Sequence, residues 1–117
     1  LVKDEAMIQV NILVLTQLTR LFLPKMVERR AGRILNIASV AAYLPGPFQA
    51  VYYASKAYVL SFSQSIAEEL RGTVVTVTAF CPGPVETGFA KVANAEHAPA
   101  FREMAQATQV AQVGYRY

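Results

Sequence analysis

The stretch Gly32-Arg33-Ile34-Leu35-Asn36-Ile37-Ala38-Ser39 decides how this chain is read. Arg33 to Ala38 forms a short strand, bounded by Gly32 and by a polar turn after Ser39, and too apolar along its length for an alternating, half-exposed strand. It is expected to be interior and parallel. A second run of this kind, Thr73 to Phe80, is β-branched and apolar and stops at Pro82. Between them, Ala50 to Arg71 carries Val51, Ala54, Tyr58, Phe62, Ile66 and Leu70 at helical spacing, with Gly72 to close the helix. Upstream, Asp4 to Arg29 is helical, with Pro24 expected to kink or break it and Gly32 to end it. Its apolar positions cover more than one stripe, so it is expected to be buried on most sides, against the sheet and against another helix that a second subunit could supply.

Helix, strand, helix, strand is the order of a parallel sheet covered on both faces. Two parallel strands leave half their hydrogen-bonding edges open and are not stable alone. Residues 1–117 are therefore expected to form a single partial domain of α/β class, two strands with long flanking helices. Tyr43 to Gln49, with Pro45, Gly46 and Pro47, is a loop, and residues 98–113 have helical composition before an end at Gly114–Tyr117 that looks truncated or disordered.

Composition narrows the class. A chain of 117 residues with 54% hydrophobic and 16% charged content is globular rather than disordered. No run reaches the ~18 uninterrupted apolar residues of a membrane span, because Asn11, Gln17, Arg20, Pro24 and Lys25 interrupt the richest window. No membrane association is expected, and no secretory signal is visible from Leu1 onward. The single cysteine, Cys81, suits a reducing cytoplasm and reads as a small buried apolar residue. The net charge of +3 is scattered apart from Arg29, Arg30 and Arg33, whose place at a helix end accounts for them without nucleic acid. His97 has no ligand partner at helical spacing, so no metal site is expected.

Chemistry concentrates in Tyr52-Tyr53-Ala54-Ser55-Lys56. Residues i and i+4 share a helix face, so Tyr52 and Lys56 stack while Tyr53 points roughly 100° away. A lysine ammonium within several Å favours the phenolate and draws a tyrosine toward the range of a general acid or base. Ser39 and Pro82-Gly83 follow the two strands, and ligands in open α/β sheets sit beyond such carboxyl ends. In isolation, Tyr52 and Tyr53 are more simply read as two tyrosines packing on an amphipathic helix.

Taken together, Asn11, Gly32–Ser39, Tyr52-x-x-x-Lys56 and Pro82-Gly83-Pro84-Val85-Glu86-Thr87 resemble, in order and spacing, the short-chain dehydrogenase/reductase family, from about residue 5 to residue 92. The resemblance implies the catalytic, C-terminal half of a Rossmann-like, doubly wound sheet, whose Gly-rich phosphate-binding half has no counterpart in these residues. It implies an oxidoreductase that exchanges hydride between NAD or NADP and a carbonyl or secondary alcohol. By the same resemblance Tyr52 is the acid/base, and Ser39 holds the substrate oxygen. Lys56 depresses the Tyr52 pKa and binds the ribose, while Asn11 anchors a water that links Lys56 to solvent. Cofactor contacts are implied at Tyr52, Lys56, Pro82, Gly83, Val85 and Thr87, with Thr87 on the nicotinamide carboxamide. Tyr43, Leu44, Phe48, Phe89 and Val92 are expected to wall an apolar substrate, and the long helices to pair in a homo-oligomer. A non-catalytic binding or assembly module on the same scaffold is the alternative, as is a chain inactive without the Gly-rich half.

Overall fold

A computed structural model describes residues 1–86 and 105–116. They form two compact units, Leu1–Cys81 and Pro82–Tyr117. The first unit begins with 27 helical residues: α1 (Val2–Ile8), a π-helical segment (Gln9–Val14) and α2 (Leu15–Glu28). Pro24 does not break α2, which runs on to Glu28. Nor does Gly32 end it. Arg30 does, in the left-handed conformation at φ 57°. Its amide donates to the Val27 carbonyl at 3.2 Å and the Ala31 amide to the Met26 carbonyl at 3.1 Å, the paired bonds of a Schellman cap. Gly32 serves a different need, since a Cβ there would lie 2.5 Å from Met26 Cγ.

β1 (Arg33–Ile37) and β2 (Thr76–Phe80) pair in parallel, with Ile37 opposite Phe80. The ladder continues one step further through the Ala38 amide and the Phe80 carbonyl at 2.7 Å. β2 starts three residues later than its composition suggests because Thr73 folds into the turn: its hydroxyl donates to Leu70 O at 2.8 Å and accepts from the Val75 amide at 3.2 Å. Neither strand is interior among the described residues, as each has one neighbour, and Ile37 is accordingly exposed.

α3 (Ala50–Glu69) crosses between the strands and covers them with a stripe that keeps the expected Ile66 and Leu70 but is shifted by one position over its first half. Ser55, Val59, Ser63, Ile66 and Leu70 are buried, whereas Ala54 is exposed. Serine wins these places because a small side chain lets the helix approach closely, provided its hydroxyl finds a partner. Ser63 accepts from Asn36 Nδ2 at 3.0 Å and Ser55 from Asn11 Nδ2 at 3.0 Å. Asn36, buried on β1, thus takes a structural place against α3. Ile66, Leu70, Val75 and Val77 form the apolar core, with Leu23, Met26, Ile34 and Phe62 against it.

The expected burial of the first helix on most sides does not hold, since Thr19 is its one buried residue. Val10, Leu13, Val14, Leu18, Leu21 and Phe22 are all more than two-fifths exposed. By length and mean hydropathy, 1.5 over its richest window, this run could also cross a membrane. Its polar side chains instead tie it to α3, through Asn11 to Ser55 and Thr16 to the Tyr58 hydroxyl at 2.7 Å.

In the second unit, β3 (Val85–Glu86) pairs in parallel with β4 (Ala105–Gln106), followed by α4 (Ala107–Tyr115). These short strands add to the two read from sequence. Gly114 and Tyr115, expected to belong to a truncated or disordered end, close the last helical turn, and Gly114 is buried. Thr87, Phe89, Val92 and His97 lie outside the described residues.

Candidate active site

Three segments of the first unit bring Ser39, Tyr52 and Lys56 together. Ser39 leaves β1 two residues after its last paired position and caps the 3-10 turn Val40–Tyr43, its Oγ accepting from the Ala41 amide at 3.1 Å. That turn brings the serine hydroxyl to the start of α3, near enough to the Tyr52 phenol to favour its ionised form. Tyr52 lies in the first turn of α3 and Lys56 one turn on, with Nζ 5.8 Å from the Tyr52 ring centroid. Tyr53 goes elsewhere, as the helical spacing requires. Its ring stands edge-on to Tyr52 at 5.9 Å and presses on Gly46, where any Cβ would overlap it.

The electrostatics depart from one expectation. Burial pushes the Tyr52 phenol above its ordinary value; the Ser39 hydrogen bond pulls it down in part, and Tyr53 adds a smaller push upward. The anticipated net depression by Lys56 is absent. Burial also lowers the Lys56 ammonium, partly offset by Cys81, and Nζ is turned to the Ile37 carbonyl at 3.0 Å rather than to the phenol oxygen. Tyr52 is thus protonated at neutral pH, as an ordinary phenol is, and its burial strengthens that preference.

Asn11 reaches the site from the π-helical segment, whose wider turn is a frequent marker of functional positions. Its side-chain nitrogen is held by Ser55, which in turn donates to the Tyr52 carbonyl at 2.7 Å. Ser55 was not singled out by sequence, although three residues after Tyr52 on one helix face is a readable position. Asn11, Asn36 and Lys56 also border a cleft of about 530 Å³ whose other walls include Val10, Phe22 and Ile34. It runs along the unpaired side of β1 and does not include Ser39 or Tyr52.

Tyr43 stands at the exposed edge of the unit, its hydroxyl 3.9 Å from Cys81 Sγ. Leu44 is also exposed, and Phe48 is fully exposed at a left-handed φ of 66°. Pro82, Gly83 and Val85 belong to the second unit, where Gly83 is exposed with open space around it. Among the described residues no three His, Cys, Asp or Glu side chains gather as a metal site would require.

Residues 2–98 match the short chain dehydrogenase family. The chain belongs to that family. The ketoacyl reductase HetN of Nostoc sp. is 43% identical over 89 residues, 75% of this chain and 31% of that protein. Among solved structures, the closed form of serine dehydrogenase complexed with NADP+ superposes at a TM-score of 0.83 with 33% identity. It covers 97% of this chain and 48% of its own. A 3-oxoacyl-[acyl-carrier protein] reductase with bound NAD from Brucella melitensis gives a TM-score of 0.76 at 28% identity, covering 97% of this chain and 44% of its own. The chain thus spans between about a third and a half of these short-chain dehydrogenases. Membership makes the β1–β2 pair and its helices part of a Rossmann-like α/β sheet, and the general activity of the family is that of an oxidoreductase.

Proposed function

We propose that the protein carrying this chain is an NAD- or NADP-dependent reductase of apolar carbonyl compounds, with 3-oxoacyl thioesters as the leading class, and with Tyr52 as its acid/base. The observation that carries this reading is the convergence of Ser39, at the end of β1, on a Tyr52 phenol that has the Lys56 ammonium over its ring at 5.8 Å. Two relatives, the ketoacyl reductase and the 3-oxoacyl-[acyl-carrier protein] reductase, support the substrate class. Exposed Tyr43, Leu44 and Phe48 on the loop before Tyr52 supply the apolar wall that such a chain would follow.

The donors present fit one end of a nicotinamide nucleotide: the Lys56 ammonium keeps protons beyond the one given to Ile37 O, and the Tyr52 hydroxyl lies one turn away. Bound there, the nicotinamide supplies or takes the hydride that no side chain can. In the reductive direction Ser39 holds the carbonyl oxygen, Tyr52 gives it a proton as the carbon gains the hydride, and an alcohol leaves. Pro82, Gly83, Val85 and Thr87 are proposed to meet the nicotinamide end, and Asn11 to hold the proton path to Lys56. The exposed apolar face of α1 and α2 is proposed as the contact between copies of the chain.

The test is reduction of 3-oxoacyl thioesters by the full-length protein, followed as loss of NADH or NADPH absorbance. Turnover with at least one of the two nucleotides is expected, rising with acyl length. A folded protein inert toward these and a broad panel of ketones would reject the proposal.

A further inference from the structure

Ser55 is completely buried, and both of its hydrogen-bonding functions are used. Its one proton goes to the Tyr52 carbonyl at 2.7 Å, so the 3.0 Å bond to Asn11 must be donated by Nδ2. A single hydroxyl therefore fixes the amide orientation of Asn11 and joins the π-helical segment Gln9–Val14 to the helical turn that bears Tyr52 and Lys56. That same turn carries both the phenol and the ammonium. The same helix carries a matched pair two turns on, Ser63 with Asn36 at 3.0 Å, equally buried and remote from the phenol.

We propose that Ser55 is a positioning residue of the active site, holding the first turn of α3 against Asn11 so that Tyr52 and Lys56 keep their bearing on Ser39. The inference rests on the reading of Tyr52 as proton donor. Misplacement of a reacting group by about 1 Å can cost up to ~100-fold, so losing one of several restraints is assigned a smaller loss. Ser63 marks what mere packing does: its removal leaves an unpaired asparagine and lowers stability without touching turnover.

In the full-length enzyme, Ser55→Ala is expected to lower kcat about tenfold with KM within about twofold of wild type. Ser63→Ala is expected to lower Tm and leave kcat and KM unchanged. The double variant Asn11→Ala with Ser55→Ala should be no slower than the slower single variant, since both cut one link. Equal kcat in Ser55→Ala and Ser63→Ala, or additive losses in the double variant, would overturn the positioning role. Should Ser55→Ala not fold, Ser55→Cys keeps the volume and weakens both bonds, and a wild-type kcat there overturns it as well. Tyr52→Phe separates the two readings. If it is inactive while Ser55→Ala is normal, only the positioning role falls; if it is active, the proton-donor role falls and takes this inference with it.

Discussion

Burial disfavours the Tyr52 phenolate more than Ser39 favours it, so its folded value lies above the ordinary one. Its titration followed by NMR of ring-labelled tyrosine should have a midpoint above the ordinary ~10, and Ser39→Ala should move it higher by removing the downward pull. A midpoint below the ordinary value would contradict this. For stability, a phenol raised in the fold contributes fully below its unfolded value and loses that contribution as pH rises through the folded one. Lys56 runs the other way: its folded value is lowered, so its burial costs stability at neutral pH, and the cost is relieved as pH climbs toward 10.5. The pairing of Tyr52 with Lys56 was legible because i and i+4 is a rule of helix geometry. Its electrostatic sign was not, since sequence does not say where Nζ turns or how deeply each group lies. Ser55 escaped notice because hydropathy treats serine as surface, while its burial follows from a partner 44 positions away.

At the scale of elements, helix, strand, helix, strand was readable from apolar runs and periodicity, and the ends were where it failed. Gly32 looked like the stop for α2, yet Arg30 adopts the left-handed cap, a conformation that suits glycine better. Arg30→Gly should therefore stabilise the chain by roughly 0.5 to 1 kcal/mol in urea denaturation. Gly72, at φ 88° with open space around it, predicts the opposite: Gly72→Ala should cost about 1 kcal/mol through backbone strain alone. Similar effects from the two would refute the capping account. The first half of the buried stripe of α3 was misplaced by one residue for a chemical reason, since Ser55 and Ser63 enter the interior on hydrogen bonds from Asn11 and Asn36, whereas Ile66 and Leu70 fall where expected. The π-helical turn around Asn11 has no sequence signature comparable to a proline or glycine, and so was invisible.

For the molecule as a whole, family and fold class followed from motifs distributed over most of the chain, whereas exposure did not. Long apolar helices imply burial only if something covers them, and Val10, Leu21 and Phe22 remain more than half exposed. These exposed apolar residues are proposed as a contact between copies of the chain. Sedimentation of the full-length protein at micromolar concentration should show a dimer or larger species, with Leu21→Lys shifting it toward monomer; a wild-type monomer would exclude that face as a self-contact. The whole reading converges on a phenol held between a serine and a lysine at the end of β1. Turnover of Tyr52→Phe in the full-length enzyme tests this most directly: the account predicts an intact fold with kcat reduced at least ~100-fold, the scale of lost acid catalysis, and a variant as fast as wild type would contradict it.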